Sequence, residues 1–338
     1  MRFSPSIFLA FFVVLGHASP KISADELCIA SWNVENLFDL EDDPSVELDE
    51  EYTPQSPKEW TQERLEIKLN NLAKIIRKMN DGRGPDVLGL CEVENRKVVE
   101  MLVAKLATLG RKYEIVHQDS PSDRGIDTAL VYDTNVFELA DAKFHFVDAE
   151  KTRDVVEAKL RRVGSGDDGA ALYVFVNHWP SRNNDEWQRI MAATVLRTRL
   201  DEILAADPAA DIVMVGDFND EPDNVSLRRF LRAVTEPENA TRGAVYDTTA
   251  PIAAEEQGTF VYDDQWQLID HVIISPGLLD GIGFSWKTGS SQRLEYRELF
   301  FQPREPGTIP RPSKSYSEND FHKDGYSDHL AVVCIVTD

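Results

Sequence analysis

The residues of this chain that could do chemistry are carboxylates, carboxamides and histidines at the ends of short apolar runs. Runs of this length are typical of buried strands. The polar residues that end them are Asn33 and Glu35, Glu92, Asn177 and His178, Asp217 and Asn219, Asp270 and His271, and Asp328 and His329. A charge beside a buried strand needs a partner, because an unpaired buried charge is very costly. The expected partner is a hard divalent cation, and Mg²⁺ suits a dispersed set because it takes few protein ligands.

Each of these residues has an ordinary structural explanation when it is taken alone. Asn33 could be a turn residue after a strand, and Asp217 with Asn219 matches common loop chemistry. His178 and His329, taken singly, could be hydrogen-bonded core histidines. The same residue types recur at the ends of separate apolar runs, and this repetition favours one shared site.

The elements that must position these residues begin as strand, helix, strand and helix. Cys28–Val34 and Asp86–Cys91 are apolar runs, whereas Glu63–Met79 and Arg96–Leu109 have apolar residues at helical spacing. Further strands and one long helix are predicted at Tyr113–Val116, Thr128–Tyr132, Lys143–Val147, Val155–Val163, Ala171–Asn177, Trp187–Ala206, Asp211–Val215, Gln267–Ser275 and Leu330–Val336. Many strands with few long helices predict two packed sheets with helices outside, in a single domain over residues 25–338.

The motifs, taken in order, resemble those of the endonuclease/exonuclease/phosphatase family. They are SWNVENLFD with Asn33 and Glu35, DVLGLCEVEN with Glu92, VNHWPSR with His178, VGDFND with Asp217 and Asn219, LIDHVIIS with Asp270, and GYSDHLAVV with Asp328 and His329. The phrases NLFD, RGID and NHWPSR are most similar to exported bacterial members. The resemblance implies a DNase I-like fold, which is a four-layered α/β sandwich. In that fold two mainly antiparallel sheets pack face to face with helices outside.

The resemblance also implies a role for each motif residue. The implied metal, Mg²⁺ or Mn²⁺, binds Glu92, with Asn33, Glu35 and Asp328 as ligands or close supporters. The implied catalytic residues are His178, Asp217, Asn219, Asp270 and His329. Asp217, positioned with Asn219, would orient and deprotonate the attacking water. His329, paired with Asp270, would contact the phosphoryl oxygens with a raised pKa, and His178 would donate to the developing charge.

Two positions depart from the family pattern. His271 stands where many members have Tyr or Gln, and Glu35 stands where the repair nucleases carry Asp. Both departures leave the chemistry intact and the substrate open.

Three arginines could bind substrate phosphate, because a guanidinium presents a planar fork of donors. They are Arg124, Arg182 and Arg189. For Arg182 and Arg189, an ion pair that ties their loop to the long helix is an equal alternative. For Arg124, a structural pair with Asp127 is the favoured interpretation.

The first 24 residues have the layout of a secretory signal peptide. Arg2 precedes the apolar run Ile7–Leu15, and small residues follow, so cleavage is expected after Ala18 or Ala24. The run is too short to span a bilayer, and no later segment is apolar for long enough. We therefore expect a secreted or periplasmic protein without a stable membrane anchor.

The charge of the chain bears on its substrate. Residues 1–24 carry two positive charges and no acid, so their removal changes the formal net charge from −23 to −25. Such a surface repels a phosphate backbone at long range, and no basic stretch with interleaved aromatics is present. The motif set and export nevertheless favour a nuclease that acts on DNA or RNA.

Two other functions remain open. A phosphatase or phosphodiesterase for small or lipid phosphoesters, of sphingomyelinase or inositol-phosphate type, fits the acidic surface better. For a lipid substrate, Phe300–Phe301 is the modest candidate for an apolar loop. A catalytically inactive binding protein would lack at least one catalytic residue type, and none is missing. No protein partner is indicated.

Three cysteines exclude a disulfide-dense scaffold and a zinc module with paired cysteines. In the fold that the resemblance implies, the first and last strands run antiparallel. Cys28 and Cys334 could then be cross-strand neighbours that form a disulfide, unless the register differs by one residue. Cys91 is expected to be a buried core thiol. The acidic stretch Asp39–Pro57 is expected to be a solvated loop, with Ca²⁺ as a candidate ion.

Overall fold

The computed structural model describes residues 26–44, 46, 48–166, 169–241, 243–301 and 308–338. The predicted signal segment, residues 1–24, lies outside the described residues and stays a prediction. Within the described ranges, no helix is both long and apolar enough to cross a membrane.

The strands of the described residues are numbered along the chain. They are β1 (Glu26–Leu37), β2 (Val87–Val93), β3 (Tyr113–His117), β4 (Asp127–Asp133), β5 (Phe137–His145), β6 (Val155–Arg162), β7 (Ala171–His178), β8 (Asp211–Asp217), β9 (Ala233–Val234), β10 (Val245–Asp247), β11 (Phe260–Tyr262), β12 (Gln265–Gln267), β13 (Asp270–Ile274), β14 (Ser285–Trp286), β15 (Gln292–Arg293), β16 (Phe300–Phe301), β17 (Arg311–Pro312), β18 (Tyr316–Ser317), β19 (Asp320–Phe321) and β20 (Val332–Thr337).

The helices of the same residues are fewer. They are α1 (Gln62–Ile76), α2 (Met79–Gly82), α3 (Arg96–Lys105), α4 (Glu186–Ala206), α5 (Ala250–Ala254) and a π-helix at Ser226–Leu231. Short 3-10 turns lie at Glu50–Tyr52, Ala107–Leu109, Pro237–Asn239, Pro276–Leu279 and Arg297–Leu299.

Two large sheets contain most of the strands. The first has the order β14-β20-β1-β2-β4-β3, with β15 also paired to β20, and the second has the order β5-β6-β7-β8-β13-β10-β9. The pairs β1–β2, β7–β8 and β9–β10 are parallel, and the other neighbours are antiparallel. Each sheet therefore has one long parallel pair near its middle, and both strands of such a pair end at the same edge of the sheet.

Three apolar cores hold the layers together. Leu69 of α1 and Val98 of α3 pack in the core on the outer face of the first sheet. Val87 and Val174 belong to the core between the two sheets. Leu196 of α4 packs in the core on the outer face of the second sheet. The order helix, sheet, sheet, helix confirms the predicted four-layered α/β sandwich with two mainly antiparallel sheets.

Helix α1 shows why the sequence folds in this way. It begins after Thr61, whose side chain caps the helix by accepting the Arg64 N–H (3.4 Å). Leu65 and Leu69 lie on one face and are fully buried, and such burial contributes about 1.5–3 kcal/mol per side chain. Lys68 lies on the same buried face, and the apolar pattern gives no reason for a charge there.

The predicted strand Gln267–Ser275 is divided in the structure. Its first residue belongs to β12, which pairs with β11 in a hairpin, whereas β13 joins the second sheet. Leu268 and Ile269 lie between the two strands and are both buried. The apolar pattern therefore continues through the break, so the pattern alone could not locate it.

The three cysteines are free thiols, so the predicted Cys28–Cys334 disulfide is wrong. Strands β1 and β20 are antiparallel, but Cys28 is opposite Ile335 and Cys334 is opposite Ile29. This offset of one residue turns the two side chains to opposite faces of the sheet. Cys28 packs in the core under α1, whereas Cys334 packs between the sheets. Cys91 is buried, as expected, and burial raises its pKa.

Glu157 of β6 is a buried carboxylate with two side-chain hydrogen-bond partners, Arg199 and His145. Arg199 donates from Nε and Nη2 to its two oxygens (2.7 and 2.9 Å), and His145 Nε2 lies 2.6 Å from Oε2. Burial opposes ionisation, but the hydrogen bonds from Arg199 and His145 lower the Glu157 pKa from 4.5 to about 2. A lowered folded-state pKa stabilises the fold above the unfolded-state pKa, and this stabilisation is lost as the pH falls.

Glu157→Gln is expected to lower the free energy of unfolding by about 3 kcal/mol at pH 7, because each pKa unit is worth ~1.4 kcal/mol. The deficit relative to the wild type should shrink as the pH falls from 4.5 towards about 2. Urea unfolding at a series of pH values measures it, with the exposed Glu138→Gln as the control. A deficit that does not change with pH would contradict the ionised cluster.

Candidate active site

The candidate site lies where the two long parallel pairs end. Strands β1 and β2 bring Asn33 and Glu92 to this edge, and β7 and β8 end at His178 and Asp217. Because the sheets pack face to face, the ends of both pairs meet at one edge of the sandwich. Asn33 Nδ2 donates to Asp217 Oδ2 (3.1 Å) and thereby joins the two sheets.

Antiparallel neighbours bring two more predicted residues to the same edge. Asp270 is the first residue of β13 and lies opposite Asp217 of β8. His329 comes just before β20, which pairs with β1. His329 Nδ1 lies 2.8 Å from Asp270 Oδ2, and Thr259 Oγ1 donates to the same oxygen (2.5 Å). The Asp–His pair expected from the motifs is therefore present.

Asp217 lies at the centre of these residues. The Asn219 N–H donates to its Oδ1 (2.9 Å), and the Nε2 atoms of His178 and His329 lie 3.7 and 3.8 Å from its Oδ2. Burial raises the pKa of Asp217 to about 6, although the charge of His329 opposes the rise. A carboxyl group with this pKa is ionised at neutral pH and can accept a proton.

Several site residues have unusual backbone conformations. Glu35, Glu92 and Asn219 have φ angles of 53°, 62° and 52°. Such angles are rare outside glycine and cost of order 1–3 kcal/mol each, so surrounding contacts must hold them. Gly216, in the motif VGDFND, has φ 134°, and a Cβ atom there would lie 1.9 Å from the Asn177 carbonyl oxygen. Only glycine fits at this position.

The two histidines of the site are in opposite charge states. Burial lowers the pKa of His178 well below its ordinary value, and the charges of Arg153 and Arg124 lower it further. Burial also acts on His329, but Asp270 and Asp217 raise its pKa well above the ordinary value. At neutral pH, His178 is therefore a neutral donor and His329 is a cation.

Glu92 and Asp328 have carboxylate oxygens that fit a divalent metal. Glu92 Oε2 accepts the Asn36 N–H (2.9 Å), whereas Arg124 Nη1 is 4.0 Å from Oε1. The Asp328 side chain is 37% exposed, and its Oδ1 is 4.0 Å from His329 Nε2. Burial would raise the Glu92 pKa, but Arg124 and His329 hold it below the ordinary value. A carboxylate oxygen without a close donor, such as Glu92 Oε1, is the kind of ligand that Mg²⁺ and Mn²⁺ take.

Asn33 and Glu35 have other partners within the protein. Asn33 Oδ1 accepts the Glu35 N–H (3.0 Å). Glu35 accepts the backbone N–H groups of Ser315 (2.5 Å) and Tyr316 (3.4 Å), and Lys68 Nζ lies 3.5 Å from its Oε2. Burial raises the pKa of Glu35 to about 7, and Lys68 opposes the rise. Their roles as metal ligands stay predictions.

The three candidate arginines have different positions. The favoured interpretation, a pair of Arg124 with Asp127, is wrong. Arg124 Nη2 instead donates to Asn36 Oδ1 (2.6 Å) beside Glu92. Arg182 Nη2 donates to Gln267 Oε1 at the edge of the site. The third, Arg189, is buried and donates to Asp220 Oδ1 (2.8 Å) and to the Ser181 carbonyl (3.0 Å). Its contacts are those of the structural alternative, in which it ties the 181–184 loop to α4.

Arg153 is a site residue that the sequence analysis missed. Its guanidinium is 8% exposed and donates from Nη2 to the Trp179 carbonyl (2.7 Å), whereas its Nε has no partner. Among the described residues, no carboxylate lies within ion-pair distance of it. Burial and the charge of Arg124 lower its pKa to about 10, so it stays a cation at neutral pH. The only signal in the sequence is a charged pair, Arg153 and Asp154, directly before an apolar strand.

These groups share one cleft of about 780 Å³. Its lining includes Glu92, Arg124, Arg153, His178, Asp217, Asn219, Asp328 and His329. Anionic groups for a metal, cationic groups for an anion and a proton acceptor therefore face the same space. This is the combination that phosphoester hydrolysis needs.

The acidic loop shows a separate cluster. Asp42, Asp49 and Glu50 place carboxylate oxygens within 4.8 Å of one another. The suggestion that Ca²⁺ binds in this loop stays a prediction.

A family comparison decides the wider relationship. The model described as the Endonuclease/Exonuclease/phosphatase family matches residues 28–338. The chain belongs to the endonuclease/exonuclease/phosphatase family. Members of this family are phosphoester hydrolases. No curated protein matches the chain.

Solved structures of family members show the same fold. A family protein from Bacteroides thetaiotaomicron is 18% identical, with a TM-score of 0.58 over 93% of this chain and 98% of that chain. The mannosyl-6-phosphatase Bt3783 of the same organism is 17% identical, with a TM-score of 0.58 over 92% and 100%. D. rerio TDP2 in complex with a single-strand DNA product is 16% identical, with a TM-score of 0.56 over 93% and 99%. At these identities the likeness supports the DNase I-like fold and leaves the substrate undecided.

His271, one of the departures from the family pattern, has a structural role. Its Nδ1 lies 2.9 Å from Asp247 Oδ2, and its Nε2 lies 2.9 Å from the Asp220 carbonyl oxygen. It is fully buried beneath the site, away from the cleft lining.

Proposed function

We propose that the protein is an exported, divalent-metal-dependent phosphodiester hydrolase that cleaves nucleic acid. The observation that carries the hydrolase assignment is the shared cleft. Asp217 lines it together with the carboxylates Glu92 and Asp328 and with three cations, Arg124, Arg153 and His329. Export is supported by the layout of residues 1–24 alone.

Glu92 and Asp328 would hold Mg²⁺ or Mn²⁺ in this mechanism. When bound, such an ion polarises the phosphoryl group and stabilises the leaving oxygen. The positive φ of Glu92 and its bond from the Asn36 N–H keep its carboxylate aimed into the cleft.

The remaining residues handle the water and the phosphoryl charge. Asp217, held by Asn33 and the Asn219 N–H, would orient the attacking water and accept its proton. His329, held as a cation by Asp270, would donate to a phosphoryl oxygen. Neutral His178 would be a second donor to the charge that develops there.

Arg153 should bind the phosphate directly, because its cation is buried in the cleft without an ion-pair partner. Arg153→Met is expected to lower kcat/KM by about 10²-fold, the lower end of what one preorganised donor contributes. Arg153→Lys should recover only part of the loss, since an ammonium lacks the planar fork. The measurement is steady-state hydrolysis of bis-p-nitrophenyl phosphate, with the exposed Arg228→Met as the control. Unchanged kinetics in a folded Arg153→Met protein would remove this role.

An aromatic hairpin beside the site favours a nucleic-acid substrate. The ring of Phe260 lies 4.9 Å from that of His329, and Tyr262 is 63% exposed. With Arg182 and Gln267, these residues line a pocket of about 380 Å³ next to the catalytic cleft. Exposed aromatic rings stack on nucleobases of any sequence, and arginine adds a cationic contact. Phe300–Phe301, the candidate apolar loop for a lipid substrate, lines neither this pocket nor the catalytic cleft.

Tyr262→Ala is expected to raise KM for single-stranded DNA by about 5–100-fold, because one stacked base is worth ~1–3 kcal/mol. It should leave hydrolysis of the small ester methyl p-nitrophenyl phosphate nearly unchanged. Phe146→Ala, at another exposed aromatic position, is the matched control. Equal losses on both substrates would mean that Tyr262 acts on the fold of the site and not on the base.

A small phosphoester is the second candidate substrate, and a specific observation favours it. Asp123 lines the catalytic cleft and also an adjoining depression of about 570 Å³ that contains Asp42, Asp43 and Asp119. A long polyanion that extended in this direction would be repelled. A mononucleotide or a sugar phosphate in the catalytic cleft would not extend into this acidic depression and would avoid the repulsion.

A substrate panel tests the proposed function. It contains plasmid DNA, RNA, sphingomyelin, a sugar phosphate and bis-p-nitrophenyl phosphate, each with Mg²⁺, Mn²⁺ or EDTA. We expect metal-dependent cleavage of nucleic acid that is lost in His329→Ala. Cleavage of small esters alone would favour the second candidate, and no metal-dependent cleavage of any substrate would refute the hydrolase assignment. Export is tested separately. The protein found outside the producing cells should have the mass of a chain that begins at residue 19 or 25.

A further inference from the structure

Lys68 is a buried charge on the apolar face of α1. It is 1% exposed and lies beside Leu65, Leu69 and Leu72, which pack on the first sheet. The burial of an ammonium group costs several kcal/mol unless good partners replace its water. A helix that needed only packing would carry an apolar residue at this position.

The partners of Lys68 all belong to the active-site region. Its Nζ donates to Ser315 Oγ (2.6 Å) and to the Tyr326 carbonyl oxygen (2.7 Å), and it lies 3.5 Å from Glu35 Oε2. An ammonium group has three donors, so its donors match these three acceptors. Two of the partners are the ends of one segment, Ser315–Tyr326.

This segment leads directly into the closing motif. Ser327 Oγ donates to the Asn33 carbonyl oxygen (2.7 Å) and accepts the His329 N–H (3.0 Å). Helix α1 makes further contacts with the same segment, since Asn71 Nδ2 donates to the Gly325 carbonyl oxygen (2.8 Å). The position of Asp328 and His329 therefore depends on how the segment is held against β1 and α1.

Glu35 also holds the Ser315–Tyr326 segment. Its carboxylate accepts the Ser315 and Tyr316 N–H groups, so it binds the same segment that Lys68 binds. Glu35 lies in an irregular part of β1, where the register with β2 shifts and φ is positive. The next N–H along the chain, that of Asn36, donates to Glu92.

We propose that Lys68 is a positioning residue whose cation compensates the charge of Glu35 inside the protein. Glu35 is then an anchor for the Ser315–Tyr326 segment and not a metal ligand. The proposed metal ligands are then Glu92 and Asp328. This inference rests on the proposed metal-dependent function.

Glu35→Gln, Lys68→Met and their double variant test the proposal with two readouts. Mn²⁺ binding by calorimetry should show an affinity lowered by no more than about 100-fold in Glu35→Gln and a much larger fall in Glu92→Gln. Hydrogen exchange should become faster in residues 313–329 of Lys68→Met. In unfolding, the double variant should lose less stability than the sum of the two single variants, because the residues act as a pair.

Distinct outcomes would overturn it. A fall of Mn²⁺ affinity of more than about 100-fold in folded Glu35→Gln would make Glu35 a ligand. Unchanged exchange in residues 313–329 would remove the positioning role. If Lys68→Met does not fold, Ser315→Ala removes one acceptor of Lys68 and leaves the Lys68–Glu35 pair in place, and faster exchange in that variant is the expected result. Absence of any Mn²⁺ binding by the wild type would instead refute the metal-dependent function. The unfolding and exchange results would still test whether Lys68 and Glu35 hold the Ser315–Tyr326 segment.

Discussion

Asp217→Asn is expected to lower kcat for phosphodiester hydrolysis by about 10²–10⁴-fold, which is the range that a general base contributes. The variant keeps the shape of the side chain and an oxygen for the Asn219 N–H, so the backbone of the site should retain its structure, but its amide nitrogen cannot accept the hydrogen bond from Asn33 Nδ2. What it loses is the carboxylate that accepts the proton of the attacking water. KM should change much less than kcat, because the phosphate contacts belong to other residues.

The pH profile gives this prediction a direction. Burial raises the pKa of Asp217 to about 6, and the base acts only when it is ionised. Wild-type activity should therefore rise as the pH increases through about 6, and this limb should be absent from the residual activity of Asp217→Asn. Asp141→Asn, at an exposed position of β5, is the control. Full activity in folded Asp217→Asn would assign the proton transfer to another group.

Glu92→Gln is expected to have a comparable effect through the metal ion. Glu92 is a partly buried carboxylate with one oxygen free of close donors, and the charges of Arg124 and His329 hold its pKa below the ordinary value although burial opposes this. Loss of its charge removes the strongest ligand, and a metal supplies several kcal/mol of charge stabilisation. Activity should fall by at least about 10³-fold.

Metal titration separates this effect from a folding defect. Mn²⁺ binding to Glu92→Gln should weaken strongly, and activity should recover in part at high Mn²⁺. The exposed Glu100→Gln on α3 is the control and should behave like the wild type. EDTA should abolish wild-type activity, and Mn²⁺ should restore it. Wild-type metal affinity in folded Glu92→Gln would show that the ion binds elsewhere.

Much of the site could be predicted from the sequence because its residues stand at strand ends. The same residue types recur at the ends of separate apolar runs, so Asn33, Glu92, His178 and Asp217 were expected in one shared site. The motif order added Asp270 and His329.

Other features depend on contacts between distant parts of the chain. Arg153 was missed because a charged residue before a strand is usually solvated, and only the packing of α4 and the 178–184 loop encloses it. Asp127 is close to Arg124 in the sequence and was the expected partner, yet Arg124 faces Glu92 in the structure. In both cases the local pattern has a common explanation that the tertiary structure does not follow.

The sequence by itself determined the element types, the order of the motifs and the residue types at the catalytic edge, because these follow from local periodicity and strand ends. Only the tertiary structure decided the β1–β20 register, which separates Cys28 from Cys334, and the pairing of Glu35 with Lys68 and Ser315. A register depends on packing on both faces of a sheet, and a shift of one residue reverses every side chain. A buried ion pair depends on the solvent that the whole fold excludes, and no local pattern contains that information.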